Sequence, residues 1–145
     1  MVLPPPPDSR KKARKHLSAD ALYALVGGNF AQVPDPRRRD SPIPLADALM
    51  SAFAMFSLKD PSLLAFDQRR SDGNLKTLFG IGQIPSDTQM REILDEVDPK
   101  RLRPVFGDVF RQLQRGKALE PFVFYAGAYL LSLDGTGYFS SPTIH

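Results

Sequence analysis

The chain has 145 residues, 42% of them hydrophobic, which suits one domain with a single core. It contains no cysteine, and this excludes both a disulfide framework and a thiolate metal site. Its apolar runs are too short to span a bilayer and its N-terminus lacks a signal-peptide pattern, so we expect a soluble cytoplasmic protein with no membrane partner.

The formal net charge of +3 is unevenly distributed along the chain. Residues 1–39 hold eight Lys or Arg against three Asp, whereas the other 106 residues hold eleven against thirteen Asp or Glu. Such a layout favours a nucleic-acid partner, because cations near phosphates release condensed counterions; a solvated tail is the alternative. The predicted phosphate contacts are Arg10, Lys11, Lys12, Arg14, Lys15, Arg37, Arg38 and Arg39.

Residues 1–43 are predicted to form a basic, proline-rich arm with one short helix. Eight of the fourteen prolines lie in the first 44 residues, and proline-rich segments form extended linkers. Between the linkers, Ser18 is a candidate N-cap, an apolar stripe follows it, and Gly27 and Gly28 predict the end of the helix. This helix could dock on the rest of the protein or on a partner.

Residues 44–116 carry a sustained helical period and are predicted to form a helical bundle domain. Pro44 suits the first turn of one helix, and Asp60 with Pro61 predicts the start of another. Ser86 and Gln89 match a capping box, so a third helix is expected over 86–97. A last helix should start at Asp98 and Pro99, restart at Pro104 and stop at Gly116.

Residues 117–145 differ from the preceding segments in composition and in hydrophobic pattern. The segment 122–133 has neither charge nor helical alternation, and its aromatic content predicts a strand covered on both faces, with a bend at Gly127. Asp134 and Gly135 are typical of a hairpin turn, although an aspartate at the end of a buried strand also suits a divalent cation. Only "GYFSS" remains to pair with this strand, so we expect the chain to be the front of a longer protein.

A resemblance to a known family covers residues 44–145. The segments "SLLAFDQRR", "NLKTLFGIGQIPSDTQMREILDEVDPKRLRPVF", "LQRGKALEPF" and "LLSLDGTGYFSS", in this order, resemble the N-terminal third of insertion-sequence transposases with an Asp-Asp-Glu triad. The resemblance implies a mainly α chain whose C-terminal hairpin opens a truncated RNase H-like α/β domain. It also implies that Asp134 is the first catalytic carboxylate and a ligand of Mg²⁺.

The implied function is that of the DNA-binding, N-terminal part of a transposase in the prokaryotic cytoplasm, associated with the nucleoid. Its expected partners are double-stranded DNA at the element ends and full-length transposase copies, without a small-molecule cofactor. Base contacts are predicted from the helix over 86–97, through Thr88, Gln89 and Arg91. Two-metal strand transfer needs several carboxylates, so no activity is expected of this chain alone. A stand-alone helical DNA-binding or protein-interaction module remains the alternative.

Overall fold

The computed structural model describes residues 15–37 and 41–129. This part of the chain is mainly helical, in agreement with the predicted helical bundle, and it ends in a small two-stranded antiparallel sheet. Its α-helices are α1 (Ala19–Phe30), α2 (Leu45–Ser57), α3 (Leu63–Gln68), α4 (Gly73–Phe79), α5 (Asp87–Asp95) and α6 (Arg103–Arg115). Short 3₁₀ helices cover Lys15–Leu17, Pro99–Leu102 and Glu120–Phe122, and the strands are β1 (Val123–Tyr125) and β2 (Ala128–Tyr129). Within the described ranges, no helix is both long enough and apolar enough to cross a membrane.

Helix α2 lies at the centre of the bundle, where it contacts α1, α4 and α5. Its core face is apolar except for Ser51, which is fully buried. The Ser51 hydroxyl donates a hydrogen bond to the carbonyl oxygen of Asp47 at 2.7 Å, so this buried polar group is satisfied within its own helix. The largest side chains with almost no exposure come from four other parts of the chain: Phe66, Leu75, Ile81 and Met90.

Helix α1 belongs to the bundle rather than to a tethered arm. The predicted stop at Gly27 and Gly28 is wrong, because the helix continues through both residues to Phe30. Val26 and Phe30 are buried, and α1 contacts α2 and α6. A glycine inside a helix costs about 1 kcal/mol relative to alanine, whereas burying one large apolar side chain contributes about 1.5–3 kcal/mol. Burial of Phe30 therefore offsets much of the cost of the two glycines.

Most predicted helix ends are confirmed. The Ser18 hydroxyl accepts a hydrogen bond from the backbone amide of Ala21 at 3.2 Å, as expected of an N-cap. The capping box of α5 is complete, since Ser86 and Gln89 each accept a bond from the other's backbone amide. Helix α6 begins next to Pro104 and ends before Gly116, with the 3₁₀ helix at Pro99–Leu102 in front of it.

Two helix starts differ from the sequence prediction. Ser62, not Asp60, caps α3, because the Asp60 carboxylate instead accepts two hydrogen bonds from the Arg69 guanidinium, at 2.8 and 3.1 Å. Helix α4 was not predicted at all. Its signals are nevertheless present in the sequence, with Asp72 as N-cap and Gly80 in the left-handed conformation at its end.

The predicted single strand over 122–133 is wrong in its described part, which turns back on itself as a hairpin. Strands β1 and β2 pair in antiparallel fashion, with Tyr125 opposite Ala128. The two residues between them, Ala126 and Gly127, both have positive φ angles of 48° and 80°, as a type I′ turn requires. The chain therefore reverses at the expected bend, and the residues of both strands are exposed instead of covered.

Candidate nucleic-acid interface

The described residues contain only part of the predicted site. Arg10, Lys11, Lys12, Arg14, Arg38, Arg39 and Asp134 lie outside the described residues. Lys15 starts the first 3₁₀ helix, and Arg37 lies at the end of the first described range. Thr88, Gln89 and Arg91 all lie on α5. The structure therefore places the attachment point of the arm and the predicted base-reading helix.

The segment directly before α1, Lys15–Leu17, contacts the C-terminal end of α6. The side-chain amide of Gln112 donates a hydrogen bond to the carbonyl oxygen of His16 at 3.0 Å. The Leu17 side chain lies against Gly116 so closely that any side-chain carbon at Gly116 would overlap it. A side chain at position 116 would force Leu17 to move, so Gly116 allows Leu17 to lie directly against the last turn of α6.

Arg37 is held by groups of its own loop. Its guanidinium donates to the Asp35 carboxylate at 2.9 and 2.7 Å and to the carbonyl oxygen of Ile43 at 2.9 Å, and its side chain is only 10% exposed. The side-chain hydrogen bonds raise the pKa of Arg37 and lower the pKa of Asp35. Arg37 could contact a phosphate only if its hydrogen bonds to Asp35 and to the Ile43 carbonyl were broken.

The three predicted base-reading residues lie at the start of α5, and two of them surround Asp87. The Thr88 hydroxyl donates to the Asp87 carboxylate at 3.0 Å, and an Arg91 nitrogen lies 3.7 Å from it. Gln89 is half-buried, and its side-chain oxygen accepts from the Ser86 amide in the capping box. This bond uses one of the two lone pairs of the oxygen and fixes the orientation of the amide, so a bidentate adenine contact through the amide oxygen and nitrogen would compete with the capping box.

Helix α5 is too acidic to attract a phosphate backbone. With its C-cap it carries one arginine against four carboxylates: Asp87, Glu92, Asp95 and Glu96. Like charges repel the polyanion at close range, and this repulsion is weakened by salt. Any contribution of α5 to DNA recognition must therefore come from base contacts at its N-terminal turn.

A basic stretch that was not predicted from the sequence begins before α6 and extends past its end. Arg111 forms an ion pair with Asp108, and Lys117 pairs with Glu120 at 3.2 Å. This basic stretch could have been predicted from the i,i+4 spacing of Arg111 and Arg115 on the polar side of an amphipathic helix. The six cations of this stretch are Lys100, Arg101, Arg103, Arg111, Arg115 and Lys117.

The other side of α6 borders an apolar groove of about 380 Å³ between α1, α2 and α6. Phe106 and Phe110 line it and are exposed, Phe106 by 74%. The Tyr129 ring lies edge-on to Phe110, with ring centres 6.3 Å apart. Helix α6 thus presents an apolar face to the bundle and a basic face to solvent.

Within the described ranges, no group of three His, Asp or Glu side chains is placed to hold a metal ion. The resemblance places only one carboxylate of the triad, Asp134, in this chain, and two-metal chemistry requires several. In comparisons with known proteins, no family model matches the chain, and no curated protein or solved structure shows significant similarity to it.

Proposed function

We propose that this chain is the N-terminal, DNA-binding part of an insertion-sequence transposase of the Asp-Asp-Glu type. The observation that carries the proposal is the ordered set of transposase-like segments that ends in "LLSLDGTGYFSS". A helical body followed by a hairpin is compatible with such a part. In this account, residues after the hairpin open an RNase H-like α/β domain, and Asp134 is its first ligand for Mg²⁺.

The distribution of charge gives the arm cations and helix α5 different roles in the proposed DNA contact. The arm cations contact phosphates and supply affinity without sequence preference, whereas Thr88 and Arg91 on α5 contact base edges. The acidic remainder of α5 limits its approach to the phosphates, so only its N-terminal turn enters a groove. Double-stranded DNA is the partner in this proposal, and full-length transposase copies are a second one.

A stand-alone helical binding module is the second candidate function. It is favoured by the completeness of the helical body, since among the described residues no buried side-chain nitrogen or oxygen lacks a hydrogen-bond partner. A bundle with a satisfied core can fold without further domains. Such a module would bind DNA or a protein without any connection to strand transfer.

The experiment that tests the proposal is a competition assay with the full chain. A labelled duplex from the DNA flanking the coding region, which carries the element ends, is bound in the presence of excess unlabelled duplex of scrambled sequence. We expect the end duplex to remain bound because base contacts add to the phosphate contacts. If excess scrambled duplex displaces the labelled end duplex as well as unlabelled end duplex does, the stand-alone module is favoured. If the chain binds neither duplex, both DNA-binding proposals are wrong.

We also predict that these 145 residues do not cut or join DNA. A single carboxylate holds a hard divalent cation weakly, and a second metal ion cannot be placed with it. The measurement is incubation of labelled end duplex with the purified chain and Mg²⁺ or Mn²⁺, followed by a denaturing gel. Strand cleavage that disappears in the Asp134→Ala variant would contradict this prediction, because it would require a complete metal site within the chain.

A further inference from the structure

We propose that Asp87 and Arg91 act together as one base-reading pair on α5, and that this pair recognises a G·C base pair from the major groove. The inference rests on the proposed DNA-binding function and names the base pair that α5 selects. It also adds the Asp87 carboxylate to the groups that contact bases. We call Asp87 and Arg91 the α5 pair.

Arg91 has the most available hydrogen-bonding groups of the three residues predicted to contact bases. Gln89 is half-buried, and its side-chain oxygen accepts from the Ser86 amide at 3.0 Å. The Thr88 hydroxyl already donates its proton to Asp87. The Arg91 side chain is 65% exposed, and its nitrogen lies 3.7 Å from an Asp87 oxygen, beyond hydrogen-bond distance. Its guanidinium can therefore direct its N–H donors to a base.

The Asp87 carboxylate can accept further hydrogen bonds. Its side chain is 31% exposed, so a ligand can reach it. The Thr88 hydroxyl bonds to Oδ1, and Arg91 lies near Oδ2. An ionised carboxylate has about four lone-pair sites, so the bond from Thr88 leaves acceptor positions open while it fixes the orientation of the group.

The α5 pair presents donors and acceptors in the order that a G·C pair requires. Asp87 and Arg91 are four residues apart and lie on the same face of the helix. In the major groove, a G·C pair presents the guanine acceptors N7 and O6 beside the N4 amino donor of cytosine. Arg91 can donate to both guanine acceptors, and Asp87 can accept from the cytosine amino group. Guanine O6 and cytosine N4 are about 2.9 Å apart, because a hydrogen bond joins them, and this is close to the spacing within the α5 pair.

The other base pairs do not match this order. An A·T pair presents the adenine acceptor N7, then the adenine amino donor, then the thymine acceptor O4. Arg91 would lose one of its two bonds there, and the Asp87 carboxylate would face an acceptor. A C·G pair exchanges the two ends and places the cytosine amino group against the guanidinium. In one docking orientation, the α5 pair therefore selects G·C.

A second exposed pair provides a matched control. Arg70 lies 3.2 Å from Asp67 at the end of α3, and the two side chains are 44% and 31% exposed. It has the same charges and a similar exposure, but it lies outside α5. Replacing Arg70 therefore tests the effect of losing one surface arginine without touching the proposed base contact.

The test uses the full chain and a series of end duplexes in which each G·C pair is replaced in turn by A·T. Fluorescence anisotropy gives the Kd for each duplex. We expect wild type to lose affinity about 5–150-fold for replacement of at least one pair. Replacing the guanine of that pair by 7-deazaguanine, which keeps base pairing but lacks the N7 acceptor, should weaken binding in the same direction. This comparison needs no protein variant.

The protein variants assign the contact. Arg91→Gln should bind the end duplex and the duplex replaced at that pair equally well, and Asp87→Ala should reduce the difference between them. Arg91→Lys should keep part of the preference, because lysine also donates to the guanine acceptors. The control Arg70→Gln should keep all of it. Far-UV circular dichroism checks that each variant keeps the fold.

Salt dependence separates a base contact from a phosphate contact. Arg91→Gln should change the slope of log K against log salt by much less than the about 0.9 that a lost phosphate contact causes. A full change in slope with uniformly weaker binding to all duplexes would overturn the inference. So would a wild-type preference for the end duplex that no G·C replacement reduces, or that survives Arg91→Gln unchanged, and in these cases the proposed function stands. If wild type binds end and scrambled duplexes alike, both the inference and the proposed recognition of element ends are wrong.

Discussion

Replacing Phe30 with alanine should lower the free energy of unfolding by about 3–5 kcal/mol. Phe30 is the last residue of α1 and is only 8% exposed. It lines the space between α1, α2 and α6, so its removal leaves a cavity where three helices meet. Urea unfolding followed by circular dichroism measures the change. A large loss of stability would show that α1 unfolds together with the rest of the bundle.

Phe56→Ala is the matched control, because the same side chain is removed from α2 at a position that is 75% exposed. We expect a change within about 0.5 kcal/mol, as for most surface substitutions. A loss below about 1 kcal/mol for Phe30→Ala, or equal losses for the two variants, would contradict the placement of α1 in the core. Because α1 packs against α2 and α6, we expect deletion of residues 1–39 to unfold the bundle as well as to remove the arm cations.

Replacing the cations at the start of the chain should abolish most of the affinity for duplex DNA at physiological salt. The variant carries glutamine at Arg10, Lys11, Lys12, Arg14 and Lys15. If all five contact phosphates, the slope of log K against log salt falls by about 4–5, since each contact contributes about 0.9. Because the effect is electrostatic, the loss should be the same for end and scrambled duplexes and should be largest at low salt. Anisotropy titrations at several salt concentrations measure both quantities.

The control for the arm variant replaces three exposed cations of the body, Lys59, Arg70 and Lys76, with glutamine. These residues lie outside the predicted arm, so their loss should change the slope per removed charge much less than the loss of the arm cations. An equal slope change per charge in both variants would mean that net charge alone governs binding. The arm would then have no particular role in the interface.

Local signals in the sequence predicted several helix boundaries correctly. The capping box at Ser86 and Gln89 and the stop at Gly116 depend on residues close to each other in the chain, and both occur as expected. The errors arose where distant contacts outweigh local preference. Gly27 and Gly28 favour a helix end, but burial of Phe30 among α1, α2 and α6 carries the helix two residues further.

The C-terminal region shows a second kind of error. Aromatic content and the lack of charge predicted a strand over 122–133, and strand preference does not specify where a chain reverses. Ala126 and Gly127 adopt positive φ at both turn positions, although alanine is unusual there. The sequence predicted a bend at Gly127, but only the pairing of Val123–Tyr125 with Ala128–Tyr129 shows that the chain reverses there.

The sequence shows which residues of the candidate site are charged, but it does not show which groups hold them by hydrogen bonds or ion pairs. The sequence identifies Arg37 as a cation, yet whether it is available depends on Asp35 and the Ile43 carbonyl, which only the folded loop brings to it. Similarly, Gln112 and His16 are 96 positions apart, and their hydrogen bond connects the arm to α6. This connection joins two basic segments that are distant in the sequence.

The salt dependence of duplex binding by the wild-type chain tests directly whether this protein binds DNA through its cations. Anisotropy of the labelled end duplex is measured from about 50 to 200 mM salt, with the scrambled duplex in parallel. We expect tight binding at low salt, a steep linear fall of log K against log salt, and a higher affinity for the end duplex at every salt concentration. Binding that does not change with salt, or no binding at the lowest salt, would contradict it.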